Sequence, residues 1–321
     1  MMSFSLPRAA FAFLLASFVA PSIVAADEMT VRKTEQGVEV LIDGQPYTTY
    51  LFKSGAKPVL WPLLGPTGKE MTRAYPLRDD DKSEKTDHVH QRSVWFTHGD
   101  VNGVSFWHET EGHGTIVQDE LVSAEGGQTA KIVTRNTWLS PKGEKLCADL
   151  RRLTFGGDKD QRWFDFDVTV TALADEVKFG DTKEGSFGIR VDETLKVDAK
   201  QGGKIVNNEG QTDGAAWGKP AAWVDYHGPV EEGGEKLGIA VLNHPSSLRF
   251  PTTWHVRTYG LFAANPFGLA DFTGNKQNNG SLILKKGESF ALRYRVILHR
   301  GDEKQAQLAE QFAKYAEEKK E

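Results

Sequence analysis

Alternation of apolar and polar side chains is the feature that most constrains the fold of this chain. Within Arg162–Ala172, phenylalanine or valine occupies every second position from 164 to 170, with aspartate or threonine between them. Successive side chains of a β-strand point to opposite faces of its sheet, so this period predicts a strand with one buried face. Residues 290–298 alternate in the same way, and residues 131–138 and 237–242 are further predicted strands.

Turn signals separate the predicted strands, as at Asp43-Gly44. Helices do not alternate with strands, and no glycine-rich phosphate loop follows a strand. Only Asp302–Lys319 has helical periodicity, with Leu308, Phe312 and Tyr315 on one side. The sequence therefore predicts an all-β fold, a large antiparallel β-sandwich with a C-terminal helix.

The first 26 residues have the pattern of an export signal. Arg8 precedes a short apolar run at 9–20, and small residues at 24–26 suit signal cleavage. The run is about a dozen residues long, whereas a transmembrane helix needs about 20, and no later apolar run is longer. We therefore expect residues 27–321 to form a single exported domain, periplasmic or extracellular, with no membrane span.

Composition argues against several classes of partner. The formal net charge is −5 without a basic block, which argues against binding to nucleic acid or to an anionic membrane. The single cysteine, Cys147, cannot form an intrachain disulfide and lies in a predicted strand, where it is expected to be buried. The expected partner is a small molecule or an oligosaccharide, and the sequence makes no prediction of oligomeric state.

Residues 87–109 contain four of the nine histidines and two of the eight tryptophans. If the first part of this segment is extended, the side chains of His88, His90, Arg92 and His98 share one face. The dipeptide Asn102-Gly103 suits a type I′ turn, after which Trp107 or His108 would return towards the first histidines. Such a concentration of imidazoles predicts a functional site, although histidines at strand ends can also serve only as hydrogen-bonding groups.

A metal centre is a separate hypothesis for this segment. His88 and His90 would place two imidazoles on one strand face, as a metal ion requires. The chain has no HExxH motif and no paired CxxC motif to provide the remaining ligands. We therefore predict neither a metal ligand set nor a cofactor, and a bound metal stays an alternative.

Residues 180–190 form a second candidate cluster. Counting by twos places Glu184, Ser186, Gly188 and Arg190 on one face of a strand. A carboxylate beside small residues can act as a general base, and Lys183 or Arg190 could keep it ionised or bind an anionic group. The alternative is an ordinary surface ion pair.

Residues 243–268 hold the remaining candidates. His244 precedes a proline, which favours an extended or turn conformation at a strand end. Asn265 also precedes a proline and carries an amide that can bond to a ligand or stabilise a turn. Tryptophans 217, 223 and 254 could offer flat faces to a sugar ring, or simply fill the core.

Taken together, these clusters suit a neutral polyhydroxylated ligand. The chain has no G-x-S-x-G nucleophile motif, but imidazole and carboxylate groups can move protons at a sugar carbon or ring oxygen. The candidates for acid–base catalysis are His88, His90, Glu184 and His244. The candidates for substrate binding are Arg92, His98, Trp107, Lys183, Arg190, Arg249, Trp254, His255 and Asn265.

The motifs at 87–107, 180–190 and 243–268 resemble a family of exported bacterial proteins often labelled "methane oxygenase PmoA". Members of that family usually read D-H-P-H-H-R in the first motif, where this chain has Val89 and Gln91. The membrane-bound oxygenase that gave the label needs transmembrane helices, which this sequence does not offer after its signal. The resemblance implies a galactose mutarotase-like supersandwich in which a histidine is the acid and Glu184 the base.

The residues and the resemblance leave three functions open. The favoured one is an exported carbohydrate-active enzyme of the isomerase, lyase or hydrolase type. The second is a carbohydrate-binding module without catalysis, which would not need Glu184. The third is a metal-dependent enzyme built on His88, His90 and a further ligand.

Overall fold

Strands account for most of the regular structure. The computed structural model describes residues 1–4, 28–81, 83–231 and 233–320, so the predicted export signal lies almost entirely outside the described residues. Within them the strands are β1 (Met29–Lys33), β2 (Gly37–Ile42), β3 (Gln45–Ser54), β4 (Lys57–Leu63), β5 (Val94–His98), β6 (Thr115–Glu125), β7 (Ala130–Leu139), β8 (Lys145–Gly157), β9 (Gln161–Ala172), β10 (Glu176–Phe179), β11 (Gly185–Arg190), β12 (Lys204–Asn207), β13 (Trp223–Pro229), β14 (Lys236–Asn243), β15 (Trp254–Val256), β16 (Leu261–Ala264), β17 (Leu282–Lys285) and β18 (Ser289–Arg300). The α-helices are α1 (Leu269–Thr273) and α2 (Leu308–Ala316), and short 3₁₀ turns occur at Val197–Ala199 and Asp213–Ala216.

These strands form two eight-stranded antiparallel sheets and one two-stranded pair, β10-β17. The first sheet has the order β1-β2-β3-β4-β5-β11-β16-β15, and the second has the order β12-β13-β14-β18-β9-β8-β7-β6. The sheets pack face to face: Phe187 of β11 contacts Phe166 of β9, with ring centroids 4.9 Å apart, and stacks on Tyr294 of β18 at 5.1 Å. The predicted all-β antiparallel sandwich is confirmed.

The alternation in β9 gives the strand the buried face that the sequence predicts. Phe164, Phe166, Val168 and Val170 are all buried in the core shared by the two sheets. Burying each such side chain contributes roughly 2–3 kcal/mol. Cys147 of β8 is also fully buried, as predicted, and burial raises the pKa of its thiol well above the usual value.

Two predicted turns are present. Asp43 and Gly44 both have positive φ, 48° and 73°, between β2 and β3. Asn102 and Gly103 have φ of 53° and 79°, as a type I′ turn requires, and Val101 bridges Val104 across it. The turn therefore reverses the chain directly after β5.

The C-terminal helix covers the outer face of the second sheet. Leu308 and Tyr315 of α2 are fully buried against Trp223 of β13 and Ile297 of β18. The helix is confirmed, but it begins at Leu308 instead of residue 302, since Gln307 adopts a left-handed conformation with φ of 53°. None of the helices in the described parts of the chain is long and apolar enough to cross a bilayer.

In the first sheet, β5 lies between β4 and β11. Residues 64–93 connect β4 to β5, and a second apolar cluster, which includes Trp95 and Trp107, forms on the side of this sheet away from the core. We call that side the outer face of the first sheet.

Candidate functional site

Two tryptophans form the floor of the site. Trp95 of β5 and Trp107 pack edge to face with ring centroids 5.2 Å apart, and both are buried. Phe96, the next residue of β5, points into the core and contacts Trp138. His90 lies against Trp107, with centroids 6.4 Å apart, so the histidines of residues 88–90 stand on the outer face.

Residues 88–93 are not part of the strand, which corrects the predicted shared face of His88, His90 and His98. His88 and Ser93 have positive φ, and the amide of Gln91 donates to the carbonyl of His88. Because this turn breaks the period of two, His98 points the other way, into the core between Phe179 and Phe267.

His98 is therefore a core residue and does not lie with the other two histidines. Its Nε2 lies 2.9 Å from the carbonyl oxygen of Gly180, and burial lowers its pKa to about 4. A neutral imidazole with a backbone partner satisfies the rule that buried polar groups are hydrogen-bonded.

The imidazole cluster, as we call it, consists of His88, His90, His108 and Tyr259. The rings of His88 and Tyr259 stack at 5.5 Å with an angle of 14° between their planes. His90 lies between His88 and His108, at 5.8 Å and 4.8 Å. His108 returns to this position after the Asn102-Gly103 turn, as the sequence predicts.

His90 is held in its neutral form. Burial, together with the nearby charges of His108 and Lys57, lowers its pKa to about 3. Lys57 is itself buried, which lowers its pKa to about 8, and its Nζ donates to the carbonyl of His90 and to Glu109, both at 2.8 Å. His90 thus has a fixed backbone and an unprotonated ring at neutral pH.

Asp87 orients His88. Its Oδ1 lies 3.1 Å from Nδ1 of His88 and accepts a hydrogen bond of 2.8 Å from the buried Arg73. Burial would raise the pKa of Asp87, but the hydrogen bonds from His88 and Arg73 together lower it. An ionised carboxylate on Nδ1 fixes the ring orientation and leaves Nε2 as the nitrogen that faces away.

Two of the arginines that were predicted to bind substrate, Arg190 and Arg92, bond to neighbouring protein side chains. Arg190 is buried, donates to Oε1 of Gln91 at 2.6 Å and lies over the ring of Tyr259 at 4.9 Å. Arg92 bonds to both carboxylate oxygens of Glu109. Gln91, which departs from the motif of the resembling family, is thus a hydrogen-bond partner of Arg190.

Glu184 immediately precedes β11. Its Oε1 lies 2.8 Å from Nζ of Lys183, and the two side chains are 19% and 40% exposed. Burial raises the pKa of Tyr259, and the charge of Glu184 adds to that increase. Glu184 therefore acts electrostatically on Tyr259, the residue that stacks on His88, although Glu184 and His88 are distant in the sequence.

His255 on β15 is another residue that was predicted to bind substrate. Burial lowers its pKa to about 4, against the opposing effect of Glu184. Its Nδ1 accepts a hydrogen bond of 2.8 Å from the indole of Trp217. The proton of the neutral ring is therefore on Nε2.

Sequence reasoning missed two residues near His255, namely Arg257 and Tyr259. Arg257 lies over Trp217 at 6.0 Å and over Tyr259 at 5.6 Å, and is exposed. Neither Arg257 nor Tyr259 was predicted to bind substrate. Alternation from His255 would not have indicated them, because β15 ends at Val256 and residues 258–259 form a turn.

His244 and Trp254 lie elsewhere. His244 follows β14 in the second sheet, where its ring bonds to the Ser246 hydroxyl at 2.7 Å and the Glu318 carbonyl at 3.1 Å. Trp254 is fully buried in the core and donates to the carbonyl of Ala221. Their predicted catalytic and binding positions are therefore corrected: both pack inside the protein because the C-terminal segment covers one and the sheets enclose the other.

Arg249 and Asn265 stabilise loops instead of facing the cluster. Arg249 donates to the carbonyls of Pro266, Gly280 and Ser281. Asn265 is fully buried and donates to the carbonyl of Thr182 at 2.8 Å. Asn265 thus fixes the loop that leads to Glu184.

A metal ion on His88 and His90 was an alternative that the sequence left open. Among the described residues, a single group of three His, Cys, Asp or Glu side chains has ligand atoms within 4.8 Å of one another, namely Asp225, His227 and Glu303. His88 and His90 are not in it.

Comparison with known proteins identifies the family. Residues 37–313 match the model of the family of unknown function DUF6807. The chain belongs to this family. Its description does not carry the methane oxygenase label. No curated protein shows significant similarity to this DUF6807 chain.

Several solved structures resemble this DUF6807 chain at low identity. A galactose mutarotase-like protein from Lactobacillus casei ATCC 334 covers 84% of this chain and 100% of its own, with 12% identity and a TM-score of 0.40. The Slr1438 protein from Synechocystis sp. PCC 6803 covers 85% and 96%, with 10% identity and a TM-score of 0.37. The alpha-galactosidase from Lactobacillus brevis covers 91% of this chain and 42% of its own, with 10% identity and a TM-score of 0.41. Similarity at this level assigns no activity to the DUF6807 chain.

Proposed function

We propose that this protein binds a sugar or glycoside on the outer face of the first sheet. Glu184 would accept a proton from the ligand as the base, and His88 would donate one as the acid. The observation that carries the proposal is the position of Tyr259. Its ring stacks on His88 at 5.5 Å, while its pKa responds to the charge of Glu184. Tyr259 thus stacks on one acid–base candidate and lies within the electrostatic range of the other, which supports a shared site.

Glu184 is the proposed general base. Lys183 lies 2.8 Å away and partly exposed, and its hydrogen bond to Glu184 raises the pKa of Lys183. A lysine held in its charged form favours the ionised carboxylate. An ionised carboxylate that is only partly shielded from water can accept a proton from a bound ligand.

His88 is the proposed general acid. It is 41% exposed on its side chain and is oriented by Asp87. A histidine with a carboxylate on one ring nitrogen can exchange protons through the other. His90 supports the site in its neutral form, because its pKa of about 3 prevents it from donating as a cation.

The surrounding side chains suit a neutral ligand with many hydroxyl groups. Trp217 and Tyr259 offer aromatic faces, and Arg257 lies between them with its side chain exposed. Aromatic faces pack against the C–H groups of a sugar, and a guanidinium can bond to two neighbouring hydroxyls. The reaction classes consistent with this chemistry are epimerisation, elimination and hydrolysis. The proposed location is periplasmic or extracellular, because residues 1–26 have the pattern of an export signal.

The test compares Glu184→Gln with a matched control, Glu176→Gln. Both glutamates pair with a lysine, but Glu176 lies on β10 and its partner is Lys285 on β17. Purified protein is screened with reducing sugars, glycosides and uronates, using NMR for anomer exchange and product formation. For the substrate found, E184Q is expected to lower kcat by about 10²–10⁴-fold, and E176Q is expected to leave it unchanged.

Calorimetric titration with the same ligand separates catalysis from binding alone. A wild-type protein that binds a sugar without converting it, with equal affinity in E184Q, would favour the alternative of a non-catalytic binding module. Turnover that EDTA abolishes would favour the metal-dependent alternative. Full activity of E184Q would overturn the proposed role of Glu184.

A further inference from the structure

A second group of histidines and carboxylates lies on the outer face of the second sheet. Asp225 and His227 are on β13, His299 is on β18, and Glu303 follows β18 in the segment that leads to α2. We propose that Asp225, His227 and Glu303 bind a divalent transition-metal ion of the Zn²⁺ type. This site is separate from the imidazole cluster and does not depend on the proposed function.

The distances suit such an ion. Oδ2 of Asp225 lies 2.8 Å from Nδ1 of His227, and Oε2 of Glu303 lies 3.8 Å from the same nitrogen. With each ligand at about 2.1 Å from a tetrahedral Zn²⁺, ligand atoms are about 3.4 Å apart. The ligand atoms of Asp225, His227 and Glu303 all lie within 4.8 Å of one another, so movements of at most about 1.4 Å would place all three donors on one ion.

The donor set and its burial also fit. Imidazole nitrogen and carboxylate oxygen are both ligands of zinc, and three protein ligands leave the fourth tetrahedral position to water. The side chains of Asp225 and His227 are 0% and 3% exposed, whereas Glu303 is 16% exposed. The site is thus closed on the side of the sheet and open towards solvent at Glu303, where a water ligand could enter.

His299 orients Asp225. Its Nε2 lies 3.0 Å from Oδ1 of Asp225, the oxygen that does not face His227. Gly238 on the intervening strand β14 makes room for this ring, since a Cβ at that position would lie 2.2 Å from Cε1 of His299. Outer partners of this kind fix the ligating carboxylate and typically change metal affinity 10- to 100-fold.

A metal here would connect two parts of the fold. Asp225 and His227 belong to the sheet, and Glu303 belongs to the segment before α2. Binding would fix that segment to the second sheet and raise the stability of the folded protein in proportion to the metal affinity.

The experiment uses the full chain after treatment with EDTA and dialysis. Titration with ZnCl₂ by calorimetry is expected to show one tight equivalent, with a higher Tm in its presence. Glu303→Gln is expected to weaken binding by at least tenfold. Asp302→Asn is the matched control, because Asp302 is the adjacent carboxylate and pairs with Lys236 instead, and it is expected to bind as the wild type does.

Two further measurements keep the test decisive. Co²⁺ in place of Zn²⁺ is expected to give visible d–d absorption bands that His227→Gln removes, with folding checked by circular dichroism. His108→Asn examines the imidazole cluster as the competing site. Absence of zinc binding, or binding that E303Q retains and H108N loses, would overturn the proposal.

Discussion

The outer faces of the two sheets use the same residue types in different ways. On the first sheet, His88 stacks on Tyr259 with its side chain 41% exposed, and Glu184 beside β11 is 19% exposed. On the second sheet, Asp225 is sealed between His227 and His299. Histidine and carboxylate therefore do not define a catalytic site by themselves; whether neighbouring segments cover them decides what they can reach.

The two faces also differ in the electrostatic balance at their histidines. Burial lowers the pKa of His90 to about 3 and that of His255 to about 4. His299 is more deeply buried than His90, but the adjacent charge of Asp225 outweighs burial and raises its pKa. The neighbouring carboxylate therefore favours the protonated form of His299, whereas burial favours the neutral forms of His90 and His255.

The largest expected difference between the faces concerns loss of a carboxylate. In the presence of EDTA, Asp225→Asn is expected to lower the free energy of unfolding by about 3–5 kcal/mol, because it removes the partner of buried histidines. Glu184→Gln removes a partly exposed ion pair and is expected to cost at most about 1 kcal/mol. Urea denaturation measures both, and similar losses would show that the two faces are equally closed.

The coverings of the two faces are expected to differ next. Leu308→Ala removes a fully buried side chain of α2 and is expected to cost about 3 kcal/mol. Leu77→Ala, in the connection above the first sheet, removes a partly buried side chain and is expected to cost about 1 kcal/mol. If Leu308→Ala and Leu77→Ala shift the urea midpoint equally at unchanged m-value, the second face is not more tightly covered than the first.

The pH dependence of stability is expected to have opposite signs on the two faces. For His255, the folded pKa of about 4 lies below its usual value of 6.5. The unfolded chain then binds more protons, so the contribution of His255 to stability is lost as pH falls from 6.5 towards 4. For His299, the folded pKa is raised, so its contribution is complete below pH 6.5 and is lost as pH rises through the folded value.

Denaturation at a series of pH values separates these effects. His255→Gln is expected to reduce the loss of stability between pH 6.5 and 4, by on the order of 1 kcal/mol per pH unit. His299→Gln is expected to remove the decrease on the alkaline side. Unchanged slopes in both variants would contradict the assigned charge states.

The smallest expected effect concerns ligand affinity. Tyr259→Leu removes the ring that stacks on His88 and is expected to weaken sugar binding about tenfold, since an aromatic contact contributes about 1 kcal/mol. Tyr259→Phe keeps the ring and is expected to change affinity by less than about threefold. Tyr315→Phe on the second face is the control in calorimetry. An equal effect of Tyr315→Phe would show that ligand binds at the other face.

The fold was accessible from the sequence wherever local rules decide the structure. The alternation in β9, the Asn102-Gly103 turn and the apolar side of α2 each depend on neighbouring residues. The prediction that His98 shares a face with His88 and His90 failed because positive φ at His88 and Ser93 interrupts the two-residue period of the strand. The side-chain pattern does not indicate this interruption. His244 was misplaced because its partner, Glu318, is distant in the sequence.

The candidate site could be predicted from the sequence only in part, because local residue patterns indicate some of its members and long-range packing determines the others. Residue types indicated His88 and Glu184; His88 stacks on Tyr259, and the charge of Glu184 contributes to the raised pKa of Tyr259. Arg257 and Tyr259 were missed because arginine and tyrosine are common at surfaces, and their importance comes from packing against Trp217 and His88. Long-range packing of this kind is fixed by the whole fold.

The connection between β4 and β5 has an evolutionary consequence. Residues 64–93 leave one central strand of the first sheet and return to its neighbour, so their ends are fixed by strand pairing. Because surface connections tolerate substitutions and insertions better than the strands that anchor them, this excursion can change in sequence and length while the sandwich beneath stays intact.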